Sequence, residues 1–312
     1  MTRAQPRHDT KPVPNALTFD VEEWFHAHNL GIDRGRWGAL PSRLAGPIDD
    51  ILALLDKYDT TATFFVLGWT AGRCPDLVRR IADAGHEVAS HGFSHEPLTV
   101  LTRDTFRDDV RRSIDVLMDV TGRTVRGYRA PRYSVTDTDH WAFDELVALG
   151  FRYDSSVYPA RAPHGRYGRS DAPLRPFRVR PGLWEFPLPV LRVLGRRFPV
   201  AAGAYLRLWP MVVTHHAFQQ NRRDGIPMIV NVHPWELDPD QPRWPTTWRA
   251  GRVHYAQLTT TAGKLATLLD RHRFVPLERL HERCEAGLFE SAKPPPAARH
   301  KRTRKRRVPA TV

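Results

Sequence analysis

The stretch Glu87-Val88-Ala89-Ser90-His91-Gly92-Phe93-Ser94-His95 decides how this chain is read: a short apolar run ends in two histidines four residues apart. Neutral imidazoles are the commonest protein ligands for zinc and related ions, and a His-x3-His spacing on a turn or helix brings both rings to one side. A third donor has to come from elsewhere. Leu17-Thr18-Phe19-Asp20-Val21-Glu22 offers one, with two carboxylates at the end of another apolar run. Each motif alone is a weak signal, since a polar loop with a hydrogen-bonded histidine looks the same.

Outward from these two motifs, strand-length apolar runs alternate with segments of helical period, which argues for a parallel sheet with crossover helices. Strands are expected over 16–19, 61–67, 87–89, 125–128, 151–153, 228–232 and 274–275. Helices are expected over 47–57, 75–84, 102–121, 137–149, 205–221 and 259–272. Between 159 and 203 prolines, glycines and arginines interrupt every run except Leu183–Leu188, so an inserted loop region is expected there, and a second long loop over 237–257. Asp20, His91, Arg129, Asp154 and His233 all fall just after expected strands. In a parallel α/β barrel those ends share one face, where such barrels place their chemistry.

The chain has 312 residues and 41% hydrophobic residues, enough for a large buried core. Cys74 and Cys284 are too few for a disulfide framework and neither sits in a metal-thiolate motif. Polar, proline-bearing residues 1–15 read as a flexible N-terminus without a signal peptide, and no run approaches a membrane span. The expected location is therefore cytoplasmic. Of the net charge of +13, eight belong to residues 293–312, which contain no acid, leaving +5 on the body. Residues 284–312 are expected to be a disordered basic tail that could meet an anionic surface, including the inner membrane face, rather than a specific nucleic-acid reader.

The motifs Thr18-Phe19-Asp20, Ser90-His91-Gly92-Phe93-Ser94-His95 and Arg129-Ala130-Pro131, with the strand-end His233, resemble those of polysaccharide deacetylases of the NodB-homology type, carbohydrate esterase family 4. Asp154-Ser155-Ser156-Val157-Tyr158-Pro159, Trp184-Glu185-Phe186-Pro187 and His233-Pro234-Trp235-Glu236 are similar to the branch linked to exopolysaccharide and exosortase loci. The resemblance implies a distorted (β/α)7-type barrel over 16–283, with a family-specific part from about 184. It also implies hydrolysis of N-acetyl groups on amino sugars of a polysaccharide or its lipid-linked precursor. A same-fold amidase acting on a small cyclic amide and a non-catalytic glycan-binding protein are the alternatives.

Carried onto this sequence, the resemblance makes His91 and His95 metal ligands, Asp20 the general base, Arg129 its partner and His233 the general acid. The common family motif has a second Asp directly after the base, where this chain has Val21. Glu22 is the natural replacement, since strand alternation turns it to the side of Asp20, with Glu23 and His26 in reserve. The implied ion is zinc, with cobalt, nickel, manganese or iron as other occupants of a two-histidine, one-carboxylate site. Asp154, Tyr133 and Trp235 are candidates for contact with the N-acetylated glycan. The backbone amide for the oxyanion is left open between Arg132 and Tyr133.

Overall fold

The structure is a computed structural model that describes residues 13–136, 139–160, 168–288 and 291–293. The expectations for residues 1–12 and for the basic run at 294–312 lie outside the described residues.

The first half runs β1 (Asn15–Val21), α1 (Ala45–Lys57), β2 (Thr63–Val66), α2 (Gly68–Arg73), α3 (Pro75–Asp83), β3 (Glu87–Ser90), α4 (Arg103–Thr121), β4 (Gly127–Tyr128), α5 (Trp141–Ala148) and β5 (Tyr153–Asp154). The second half adds β6 (Phe177–Arg180), β7 (Leu183–Glu185), β8 (Val190–Val193), β9 (Arg196–Pro199), α6 (Ala204–Leu208), α7 (Met211–Arg223) and β10 (Ile229–Val232). It closes with α8 (Trp248–Tyr255), α9 (Thr261–Arg271), β11 (Phe274–Val275) and α10 (Leu277–Glu285).

Seven strands pair in parallel in the order β10, β1, β2, β3, β4, β5, β7, with β6 antiparallel at the far edge and β11 beside the start of β1. No ladder among the described residues joins β10 to β7, so the curled sheet is a distorted barrel left open on one side. Alternation along β1 sorts its side chains. Leu17, Phe19 and Val21 join the core under the outer helices, with Ile48, Ile51 and Leu55 of α1, while Ala16 joins the inner core and Thr18 and Asp20 point the same way. Each fully buried Leu, Phe or Val contributes roughly 1.5–3 kcal/mol, which fixes the register and with it the direction of Asp20.

Helix α4 shows how closely sequence and structure agree in this half. Thr102 opens it by accepting from the Thr105 amide, Phe106, Val110 and Leu117 face inward, and Gly122 at φ 65° closes it.

The second half departs from expectation. The helix foreseen over 205–221 is two, because Pro210 supplies no amide and holds Trp209 extended at ψ 140°. The expected loop region over 159–203 carries the β6–β7 pair and the β8–β9 hairpin, and β7 is a full member of the parallel sheet. The loop foreseen over 237–257 holds α8, capped by Thr247. Helix α10 was not foreseen, and the 283/284 boundary falls inside it. Its Leu277, Leu280 and Cys284 are buried against Ala16, Phe65, Tyr153 and Trp184 in the barrel interior.

Candidate active site

The carboxyl ends of β1, β3, β4 and β10 deliver Asp20, His91, Arg129 and His233 to one place. Register explains this: Val21 lies beside Val66, Val66 beside Ser90 and Ser90 beside Tyr128, so Glu22, His91 and Arg129 emerge at one level just past their strands, while Phe19 beside Val232 sets Asp20 next to His233 just below. The cavity above them, of about 270 Å³, is lined by Asp20, Glu22, His95, Tyr133, His233 and Trp235 among others.

The histidine loop is held tightly. Gly92 has φ 75° and lies 3.0 Å, measured from where a Cβ would sit, from the Asp109 carboxylate. That carboxylate accepts from the Phe93 amide at 2.8 Å and the Ser94 amide at 3.0 Å, so α4 fixes the loop that carries both rings. His95 itself takes φ 58°, a left-handed conformation that aims it back at β1.

Glu22 Oε1 lies 3.1 Å from His91 Nε2 and 2.9 Å from His95 Nε2. The Arg129 carbonyl accepts from His91 Nδ1 at 2.9 Å, which puts the proton of a neutral His91 on Nδ1 and leaves the Nε2 lone pair facing a carboxylate oxygen. Two lone pairs at that distance repel unless positive charge lies between them. The three donor atoms lie within 4.8 Å of one another, all on buried residues, and this donor set fits a divalent cation. Burial alone would raise the Glu22 pKa, but His95, His233 and His91 outweigh it and hold the carboxyl well below its ordinary value.

Neither reserve candidate joins this set. Glu23 Oε2 accepts from the Arg43 amide, and His26 Nδ1 accepts from the Glu23 amide while its ring packs 4.2 Å from Trp37.

Asp20 is held from two sides, by Arg129 Nη1 on Oδ1 and Asn231 Nδ2 on Oδ2, each at 2.8 Å. Burial raises its pKa, and Arg129, His91 and His233 together bring it below the ordinary carboxylate value. Arg129 is itself fully buried, donating also to Thr18 Oγ1, Asn231 Oδ1 and the Ser155 carbonyl and hydroxyl.

Across the cavity, His233 Nε2 is 3.8 Å from Asp20 Oδ2 and 3.9 Å from Glu22 Oε1. Its Nδ1 donates to Glu236 Oε2 at 2.8 Å, and Arg207 Nε donates to Glu236 Oε1 at 2.6 Å. Burial would depress His233, but Glu22, Glu236 and Asp20 raise its pKa to about 9. Glu236 is lowered to about 2 by His233 and Arg207, against its own burial.

Trp235 stacks between His233 and His254, with ring centroids at 5.2 and 4.4 Å, and forms one wall; Tyr133 is on another. The Tyr133 amide donates to the Ala130 carbonyl at 3.0 Å and is taken up by the turn. Asp154 does not reach the cavity, because it lies on the opposite side of β5 from Tyr153 and Ser155. There it forms a fully buried carboxyl pair with Glu185, both raised by burial, and accepts from Ser156, whose hydroxyl in turn accepts from the Ala130 amide. Its place is beneath the Arg129 turn, which it supports through Ser156 from outside the cavity lining.

Sequence reading missed Asn231, Glu236 and Arg207. Asn231 had a signal, since it stands two residues before His233 on one strand face, and Glu236 stands one short turn after it. Arg207 had none: an arginine in a helical stretch gives no hint of burial.

A curled parallel barrel with a two-histidine, one-carboxylate cluster at its carboxyl face is an arrangement that could hold a divalent cation. Residues 32–153 match the family model "Polysaccharide deacetylase", and residues 155–282 match "Domain of unknown function (DUF3473)". The chain thus carries a domain of the polysaccharide deacetylase family, of the NodB and carbohydrate esterase 4 kind. The first matched segment contains His91, His95 and Arg129 and leaves Asp20 and Glu22 before it. The second begins at 155, ahead of the expected 184.

A peptidoglycan deacetylase of Helicobacter pylori is 34% identical over 110 residues, covering 35% of this chain and 36% of that protein. A chitooligosaccharide deacetylase of Rhizobium leguminosarum bv. trifolii is 31% identical over 106 residues, covering 30% of this chain and 49% of that one. The chain therefore spans between a third and a half of the length of these curated relatives. A crystal structure from Mycobacterium smegmatis, named for the polysaccharide deacetylases, superposes with a TM-score of 0.61 at 24% identity, covering 92% of this chain and 95% of that one. That likeness extends the shared fold through the second half.

Proposed function

We propose that the protein is a metal-dependent hydrolase that removes N-acetyl groups from amino sugars of a polysaccharide or its lipid-linked precursor, in exopolysaccharide biosynthesis. The observation that carries this reading is the meeting of three sets in one cavity: Glu22 with His91 and His95, Asp20 on Arg129, and His233 on Glu236. Relatives named as deacetylases of peptidoglycan and chitooligosaccharides support the substrate class.

A divalent ion held by Glu22, His91 and His95, zinc or one of cobalt, nickel, manganese and iron, would supply Lewis acidity and lower the pKa of a water from about 15.7 towards ~7. Asp20, kept ionised by Arg129 and Asn231, takes the proton of the attacking water at Oδ2. His233 holds a proton on Nε2, directed into the cavity because Nδ1 is occupied by Glu236, and gives it to the departing sugar amine. Without that proton the amide nitrogen is a poor leaving group. Trp235 and Tyr133 offer flat surfaces on which a pyranose ring can lie.

The test is acetate release from N-acetylglucosamine oligomers by metal-loaded protein, beside a chelated sample and a His91→Ala, His95→Ala double variant. Release that needs both the metal and the histidines is the expected result. Metal binding with no release from any oligomer, but release from small cyclic amides, would replace the glycan with another amide.

A further inference from the structure

Six of the twelve exposed large apolar side chains among the described residues crowd into one short segment: Val193, Leu194, Phe198, Leu208, Trp209 and Val212. Leu194 is 98% exposed and Val212 72%, values that folding alone gives no reason to keep apolar. The segment is the β8–β9 hairpin with helices α6 and α7. Leu194 at φ 49° and Gly195 at φ 73° make the tight turn at the hairpin tip, and pairing of Val193 with Arg196 and Leu191 with Phe198 puts Val193, Arg196 and Phe198 on one face.

The hairpin is bound firmly to the helices behind it. Trp209 Nε1 donates to the Pro199 carbonyl at 3.1 Å, and Gln220 of α7 exchanges hydrogen bonds with both the amide and the carbonyl of Arg192. The hairpin therefore lies along α7, held at its base by Trp209 and near its tip by Gln220.

Charge around this surface is mainly positive. From residue 186 to residue 223 the chain has six arginines and no acid; Arg207 is buried against Glu236 and Arg192 pairs with Asp224, while Arg196, Arg222 and Arg223 are exposed. Ala202 and Gly203, which link the hairpin to α6, and Ala204 and Tyr205 at the start of α6 line the cavity that holds Asp20 and His233, so the patch adjoins the rim of the site.

We propose that this hairpin and helix surface docks the protein on an anionic lipid bilayer, with Leu194, Val193 and Phe198 entering the interface and the arginines meeting lipid phosphates. An amphipathic interface of this kind binds through apolar burial together with attraction of basic side chains, and here one surface offers both. A polyanionic glycan would use the arginines but leaves the protruding leucine unexplained. A second copy of the chain would cover the leucine but would set arginines against arginines across a two-fold interface. Docking here brings the cavity to the membrane surface, and it stands whether or not the deacetylase reading does.

The test is flotation of the full chain with vesicles of phosphatidylcholine containing about 30% phosphatidylglycerol, and with phosphatidylcholine alone, at low and at 0.5 M salt. The wild type should float with the anionic vesicles and keep part of its binding at high salt, where attraction by the C-terminal arginines and lysines is screened. A Val193→Ser, Leu194→Ser, Phe198→Ser variant should lose about tenfold or more of the high-salt binding. An Arg196→Glu, Arg222→Glu, Arg223→Glu variant should lose a similar share of the low-salt binding. Acetate release from soluble oligomers should not change in either. Equal flotation of the wild type and the serine variant at both salt concentrations would overturn the proposal. So would a wild-type dimer in analytical ultracentrifugation that the serine variant abolishes.

Discussion

Glu22 lines the cavity and Glu236 stands behind His233 on its other side, both buried, and their neighbours neutralise them in opposite ways. Glu236 meets donors at every contact: Arg207 Nε, His233 Nδ1 and the His233 amide at 3.0 Å. Glu22 meets two ring nitrogens, and the one on His91 has its proton committed elsewhere. The His233 end is thus complete as a hydrogen-bonded set of charges, whereas the Glu22 end is complete only with a cation among its donors. Burial is common to both ends; what separates a ligand from a positioning group is which neighbouring atoms hold protons.

The sharpest way to break this comparison is to remove each carboxylate in turn. Glu22→Ala should abolish stoichiometric metal binding, measured by elemental analysis, and lower kcat/KM by roughly 10³ or more. Metal retained at wild-type stoichiometry in that variant would remove Glu22 from the ligand set and reopen the places of Glu23 and His26.

Glu236→Gln should leave the metal in place and lower kcat by roughly 10–100-fold, the usual cost of losing a partner that orients a catalytic ring. The pH profile carries the finer prediction. His233 acts while protonated, and Glu236 helps hold its pKa above the ordinary imidazole value, so activity should fall on the alkaline side as that proton is lost. Loss of the Glu236 charge removes one cause of that raised value, so the alkaline limb should move to lower pH. An unmoved limb would mean that another group titrates there.

The same contrast explains what was legible in the sequence. Asp20 lies near the end of the β1 ladder and His91, Arg129 and His233 directly follow β3, β4 and β10, and parallel pairing brings these carboxyl ends to one face of the sheet, so position along the chain was enough to group them. The Glu22 side of the cavity is built from two such strand ends and was readable. The other side depends on Arg207, which reaches Glu236 from a helix broken at Pro210, and on a β8–β9 hairpin in a region whose prolines, glycines and arginines mask its period. Asp154 followed the same strand-end rule and misled it, because Asp154 sits one residue earlier in its strand than the rule assumed and side chains alternate. Its neighbour Ser155 points to the site instead, donating its hydroxyl to the Phe186 carbonyl and accepting from Arg129.

A third glutamate, half-buried at the opposite mouth of the barrel, extends the comparison to the case with no charged partner in hydrogen-bond contact. Glu87 accepts from the hydroxyls of Thr63 and Tyr153 and from the Glu278 amide at 3.1 Å, thereby tying β3 to the first turn of α10. Burial outweighs these neutral donors and pushes its pKa up to about 7. An unfolded glutamate titrates near ~4.3, so the folded protein binds the extra proton, and this contribution to stability is fully present below about 4.3 and lost as pH rises through about 7. Glu87→Gln keeps the shape without the titration. Thermal melts of both proteins from pH 4 to 8 should therefore show the wild type losing stability relative to the variant across that window, by on the order of 1 kcal/mol per pH unit at most. Acetate release near pH 7 should be the same in both, because the active cavity opens at the other end. A constant difference in melting temperature across the window would mean that the Thr63, Tyr153 and Glu278 donors hold Glu87 ionised, and that neutral donors can do for a half-buried carboxylate what Arg207 does for Glu236.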